Sequence, residues 1–84
     1  MKMKIKVLLF ATLRERAGGV KQIEIHLDDN ATVSELKERV AFEYAALKPS
    51  MKSVLVTINR EYASDETLIS ENAEIALFPP VSGG

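Results

Sequence analysis

The chemistry that this sequence can offer is concentrated at its last two residues, Gly83-Gly84. The 84 residues include no cysteine and one histidine, so the chain lacks the parts for a thiol nucleophile, a thiolate metal site or stand-alone acid–base catalysis. The remaining reactive candidate is the α-carboxylate of Gly84. Because a carboxylate is a poor electrophile, a partner must first activate it, for example by transferring AMP from ATP. A sulfur donor could then convert the activated end to a thiocarboxylate.

The segment that carries this carboxylate, residues 79–84, is narrow and has a stiff base. Pro79-Pro80 cannot donate hydrogen bonds to a sheet, and Gly83-Gly84 has no side chains to obstruct the last carbonyl. Six extended residues reach about 20 Å at roughly 3.3 Å per residue. We therefore predict a compact domain over residues 1–80 and a flexible tail over residues 81–84 that could enter a narrow channel in another protein.

Size and charge limit the partners of this domain. A chain of 84 residues suffices for one domain, and 46% apolar with 27% charged residues is typical of a globular protein. Eleven basic and twelve acidic residues give a formal charge of -1, so no overall field favours nucleic acid or an anionic membrane. Lys2, Lys4 and Lys6 interrupt the first apolar segment, so we expect neither a signal peptide nor a membrane span there, and a cytoplasmic location.

Hydrophobic spacing predicts one long helix among several strands. The helix begins at Thr32, which has capping-box spacing to Glu35, and Pro49 ends it at the latest. The predicted elements are a strand over 2–10, a short helical turn over 11–17 closed by Gly18-Gly19, a strand over 21–27, the helix from 32 to about 47, a strand over 54–58, a possible short strand around Tyr62, and a last strand over 74–78.

One amphipathic helix can cover only one face of a sheet. The sequence therefore predicts a two-layer α+β domain, with a mixed sheet and one main helix packed across one face. Strand alternation places Leu8, Phe10, Ala76 and Phe78 on the uncovered face. Exposed apolar groups of this size usually mark an interface, but central strands are often buried on both faces. Docking of a partner and covering by a loop both stay open.

Several motifs resemble the small subunit of molybdopterin synthase. They are Leu9-Phe10-Ala11 followed by Leu13-Arg14-Glu15, Asn59 in the turn after the third strand, and the ending EIALFPPVSGG over residues 74–84. The resemblance covers almost the whole chain, and FPPVSGG is its most discriminating part. It implies the ubiquitin-like β-grasp fold, which agrees with the α+β architecture predicted from spacing.

The resemblance also implies a sulfur carrier in molybdenum cofactor biosynthesis that is not an enzyme on its own. A ubiquitin-activating-like adenylyltransferase would use ATP to adenylate Gly84, and a sulfur donor protein would then supply the thiocarboxylate sulfur. The tail would insert into the large synthase subunit and pass its sulfur to cyclic pyranopterin monophosphate. Two small subunits at opposite ends of a large-subunit dimer would form a heterotetramer. The chain itself would bind no cofactor and no metal.

The predicted site has a reactive end and a docking surface. Positions Phe10, Tyr62 and Phe78 match the apolar docking surface of the family, and strand alternation adds Leu8. A partner contact through Arg14 follows from family analogy alone, and a plain surface role for it stays open. The predicted site residues are Gly83 and Gly84 at the reactive end, and Leu8, Phe10, Arg14, Tyr62, Phe78, Pro79, Pro80, Val81 and Ser82 as partner contacts.

Three other functions share parts of this pattern. A ubiquitin-like modifier would use the same acyl-adenylate at Gly84 to form isopeptide bonds with lysines of target proteins. A sulfur carrier for thiazole synthesis or transfer RNA thiolation would differ only in the acceptor, and the double proline argues against the thiazole pathway. A pure binding module would dock through its open face and leave the tail chemically inert.

Overall fold

The computed structural model describes residues 2–80, and the predicted tail over residues 81–84 lies outside them. Within this range the chain forms five strands, two α-helices and one 3₁₀ helix. They are β1 (Lys2–Leu9), α1 (Thr12–Arg16), β2 (Gln22–Asp28), α2 (Val33–Glu43), the 3₁₀ helix (Ala45–Lys52), β3 (Leu55–Ile58), β4 (Glu61–Tyr62) and β5 (Ile75–Phe78). None of the helices within residues 2–80 has the length and apolar character needed to cross a membrane.

The strands form one mixed sheet in the order β2-β1-β5-β3-β4. Central β1 pairs antiparallel with β2 and parallel with β5, whereas β3 pairs antiparallel with both β5 and β4. Helix α2 buries Val33, Leu36 and Val40 in the core beside the inward side chains of the sheet. The predicted α+β architecture is therefore confirmed as a ubiquitin-like β-grasp.

Alternating side chains fix the register of β1 and β2. The odd-numbered residues of β1 and of β2 up to Leu27 are buried, and Ile5 lies opposite Ile25. A slip of one residue would carry the apolar set of one strand to the solvent face, so burial selects this register. His26 is exposed on the face of β2 that points away from the core.

Helix α2 starts as predicted but ends earlier. Thr32 is its N-cap, and both hydrogen bonds of the capping box with Glu35 are formed. The predicted end at about Leu47 is wrong, because α2 stops at Glu43 and the chain continues as the 3₁₀ helix, which contains Pro49. Pro49 has no N–H for an α-helical bond to residue 45, and its ring would clash with that carbonyl. Leu47 is nevertheless buried. Its position in the apolar pattern therefore indicated that it packs in the core, but did not indicate which type of helix carries it.

Gly18 and Gly19 close α1 through their backbone conformation. Both have positive φ values, 83° and 87°. Gly19 N–H donates to Arg14 O at 2.9 Å and Gly18 N–H donates to Glu15 O at 3.1 Å, which is the Schellman pattern. The interpretation of this internal glycine pair as structural is confirmed.

Gly18→Ala is expected to lower the free energy of unfolding by about 1 to 2 kcal/mol, the cost of a left-handed conformation for a residue with a Cβ. A Cβ at position 18 would meet no heavy atom within 4 Å, so the loss comes from the backbone and not from a clash. Urea denaturation measures it. The matched control is Gly18→Asn, which should lose less because Asn tolerates this region; equal losses for both variants would contradict the explanation.

Candidate functional site

The face of the sheet opposite α2 carries a groove of about 480 Å³. We call it the sheet-face groove; it is lined by Leu8, Phe10, Thr57, Arg60, Tyr62, Glu74, Ala76 and Phe78. Leu8, Phe10 and Phe78 are half-buried, so part of each apolar side chain stays accessible. The prediction that strand alternation places these three residues on one uncovered face is confirmed.

Strand pairing brings residues distant in sequence into one row across this groove. Tyr62 of β4 lies opposite Thr57 of β3, Thr57 lies opposite Ala76 of β5, and Ala76 lies opposite Leu8 of β1. Tyr62 ends the row and is 77% exposed. An aromatic ring left in water beside an apolar groove is a feature of protein interfaces.

Two stacked phenylalanines form one end of the sheet-face groove. The rings of Phe10 and Phe78 have centroids 4.6 Å apart and planes 9° apart. They meet because β1 and β5 run parallel with Leu9 opposite Leu77, and Phe10 N–H continues that pairing by donating to Leu77 O at 3.2 Å. The backbone therefore sets the position of both rings before any partner arrives.

Arg14 extends this aromatic end with a positive charge. Its guanidinium carbon lies 5.8 Å from the centre of the Phe10 ring, and its Nε–H donates to Leu9 O at 3.3 Å. Arg14 is not among the residues that line the sheet-face groove, so the structure places it beside the groove, over the ring of Phe10. A cation held over a ring in this way is also available to an acidic group of a partner.

The opposite end of the groove is built by the turn between β3 and β4. Its central residues, Asn59 and Arg60, have φ values of 52° and 70°, as in a type I′ hairpin. Asn59 ties this turn to the residue before β5, because its N–H donates to Glu74 O at 2.8 Å and its Oδ1 accepts from Glu74 N–H at 2.9 Å. Asn59 therefore positions the groove without lining it.

Sequence reasoning missed Arg60, Thr57 and Glu74 among the residues of the groove. Arg60 Nε lies 3.4 Å from Glu74 Oε2, and both side chains border the apolar floor. The available signal was the position of Arg60 directly after Asn59 in a two-residue turn, one residue before the strand that holds Tyr62. Thr57 gave no signal, because it occupies a β-branched position in an apolar strand.

Pro79 and Pro80 follow Phe78 and end β5 where the sequence predicted. They do not join the sheet-face groove. They line a separate recess of about 260 Å³ together with residues of α1 and of the 3₁₀ helix. The chain therefore leaves the sheet at the Phe10 end of the groove, and Val81, Ser82, Gly83 and Gly84 lie outside the described residues.

Within residues 2–80, no group of three or more His, Cys, Asp or Glu side chains is arranged to hold a metal ion. The described residues of the sheet-face groove are mostly apolar and aromatic, with Arg60 and Glu74 at one border.

Comparison with known proteins identifies the family of this chain. The model of the ThiS family matches residues 7–84, which is most of the chain and includes its last two glycines. The chain belongs to the ThiS family. The matched range includes every residue that lines the sheet-face groove.

Individual relatives agree with this family assignment. The chain is 37% identical over 84 residues to the molybdopterin synthase sulfur carrier subunit of Chlamydomonas reinhardtii, with 98% of this chain and 100% of that one covered. Two solved structures each cover 94% of this chain and 99% of their own. They are a putative molybdopterin converting factor subunit 1 from Pyrococcus furiosus, with 29% identity and a TM-score of 0.82, and the small archaeal modifier protein 1 of Haloferax volcanii, with 27% identity and a TM-score of 0.81. The resemblance to molybdopterin synthase small subunits is thereby confirmed.

Proposed function

We propose that this chain is the sulfur carrier subunit of a molybdopterin synthase and that it carries the sulfur as a thiocarboxylate on Gly84. The observation that supports the proposal is that the sheet-face groove ends where the segment over residues 79–84 begins. Phe78 ends the sheet within the groove, and Pro79 starts the segment that leads to Gly84. A partner that covers the groove is therefore placed to receive the tail, and residues 79–84 span about 20 Å when extended.

The proposed chemistry is carried out by partners on the end of this chain. An adenylyltransferase activates the Gly84 carboxylate with ATP, which is a substrate of that enzyme and not a cofactor of this chain. A sulfur donor protein then replaces AMP with sulfur. The large subunit accepts the tail and directs the sulfur to cyclic pyranopterin monophosphate. This chain is thus a non-catalytic subunit, and we propose a heterotetramer with two copies bound to a large-subunit dimer.

The proposal is tested by incubating the purified chain with its cognate adenylyltransferase, ATP and the sulfur donor. We expect the intact mass to rise by the difference between one sulfur and one oxygen, with the change located at Gly84 by fragmentation. Addition of the cognate large subunit and cyclic pyranopterin monophosphate should then return the mass to its starting value and yield molybdopterin. A mass that never changes under these conditions would refute the proposal.

The similarity to the small archaeal modifier protein 1 favours a second candidate, a protein modifier joined to target lysines through Gly84. An acyl-adenylate that reacts with sulfur can also react with an amine, so one tail could serve both functions. Immunoblots of native extracts discriminate them. Higher-mass conjugates that disappear when Gly84 is deleted would support the modifier, and their absence would leave sulfur transfer as the single function of the tail.

A cytoplasmic location stays a prediction from the sequence. Fractionation of the native cells, followed by detection of this chain together with the large subunit, measures it.

A further inference from the structure

Backbone strain in this domain is concentrated around the sheet-face groove. Among residues 2–80, four residues other than glycine have positive φ: Ala11, Asn30, Asn59 and Arg60. Ala11 directly follows Phe10, and Asn59 and Arg60 form the turn that leads to Tyr62, so three of the four lie at the two ends of the groove. Asn tolerates the left-handed region, but Arg does not. Strain of this kind tends to persist where function requires it.

The fold gains little from an arginine at position 60. A two-residue hairpin turn with positive φ at both positions favours glycine at the second one. The Arg60 side chain is 86% exposed, and its 3.4 Å contact with Glu74, itself 48% exposed, is a surface ion pair of the kind that contributes little to stability. What Arg60 supplies is a guanidinium group at the border of an apolar groove.

The charges around the sheet-face groove are complementary to an acidic partner. Arg60 lies at the Glu74 end of the groove and Arg14 lies at the Phe78 end. These two ends are about 13 Å apart, because Phe78 follows Glu74 by four residues of extended strand. Of the described residues that line the groove, Glu74 is the one anion, and it already faces Arg60. Because the charges of Arg60 and Glu74 offset each other, Arg14 beside the groove leaves this border with one net positive charge, in a chain whose formal net charge is -1.

We propose that Arg60 is a specificity-determining residue of the docking surface and that it binds a carboxylate of the large subunit at the Glu74 end of the sheet-face groove, opposite the end formed by Phe10 and Phe78. On docking, the guanidinium exchanges Glu74 for the carboxylate of the partner, with the planar fork of Arg suited to a paired contact. This inference rests on the proposed function, because it names the chemistry of the surface that the large subunit presents.

The test measures association of the full chain with the large synthase subunit from the same genome by stopped flow, at several salt concentrations. Arg60→Gln keeps the strained backbone and removes the charge. It should slow association about three- to tenfold at low ionic strength and flatten the salt dependence, because charges at an interface rim act mainly on the association rate. Arg60→Lys should retain most of the wild-type rate.

Two further variants separate this role from a structural one. Arg60→Gly should slow association like Arg60→Gln yet raise the melting temperature by about 2 to 8 °C, because glycine relieves the positive φ. Lys48 is exposed on the 3₁₀ helix, so Lys48→Gln removes an equal charge away from the groove and should leave association unchanged. If Arg60→Gln associates at the wild-type rate, or Lys48→Gln slows association equally, the inference is overturned while the proposed function stands. If the wild-type chain does not bind the large subunit, the proposed function fails and takes the inference with it.

Discussion

Deletion of Gly84 is expected to abolish thiocarboxylate formation and sulfur transfer while leaving the domain folded. The deletion moves the terminal carboxylate back by about 3.3 Å, the length of one extended residue. A displacement of even 1 Å from the reacting geometry can cost about a hundredfold in rate, so we expect a loss of at least about 100-fold. Intact mass spectrometry of the adenylation and sulfur-transfer reaction measures the effect.

The control for this deletion is the stability of the domain. Among residues 2–80, every residue of the hydrophobic core lies between Met3 and Leu77, so we expect the midpoint of urea denaturation to stay unchanged. Addition of one alanine after Gly84 is the matched variant, because it moves the carboxylate the same distance in the other direction and should also block the reaction. Normal thiocarboxylation of the shortened chain would show that the sulfur is carried elsewhere.

Strands β1 and β2 were predictable because their apolar residues alternate with polar ones in step with burial. The odd-numbered residues of β1 are buried and the even-numbered ones face out or toward the groove, so alternation alone gave the sheet and its faces. The start of α2 was predictable because Thr32 and Glu35 form a local motif. Its end was not, since Leu47 packs into the core equally well from an α-helix or a 3₁₀ helix.

The groove was predictable only in its apolar part. Strand alternation identified Leu8, Phe10 and Phe78, because their faces follow from parity along single strands. Thr57 reaches the groove through the pairing of β3 with β4 and β5, which no local pattern specifies, and the place of Arg60 directly after Asn59 was the one local sign of its position. The positive φ of Arg60 could not be predicted either, because arginine is not a residue type that indicates a left-handed turn.

Phe78→Ala is expected to weaken binding of the large subunit by about 1 to 4 kcal/mol, the range for a central aromatic contact in an interface. Phe78 is half-buried, stacks on Phe10 at 4.6 Å, and lies at the end of the groove from which the tail departs. Its removal takes away both its own contact area and the support for the Phe10 ring. Isothermal titration calorimetry with the large subunit measures the change, and urea denaturation of the variant verifies that it is folded.

The chain provides a matched control for this aromatic substitution. Phe42 of α2 is 77% exposed and has the Arg39 guanidinium 5.3 Å from its ring centre, much as Arg14 lies over Phe10. Phe42→Ala should leave the affinity unchanged, because that ring is on the helix layer and not in the groove. If the two phenylalanines of the groove act as one unit, the loss in Phe10→Ala/Phe78→Ala should be smaller than the sum of the single losses. Equal effects at Phe42 and Phe78 would remove the sheet-face groove from the interface, since loss of any exposed ring would then suffice.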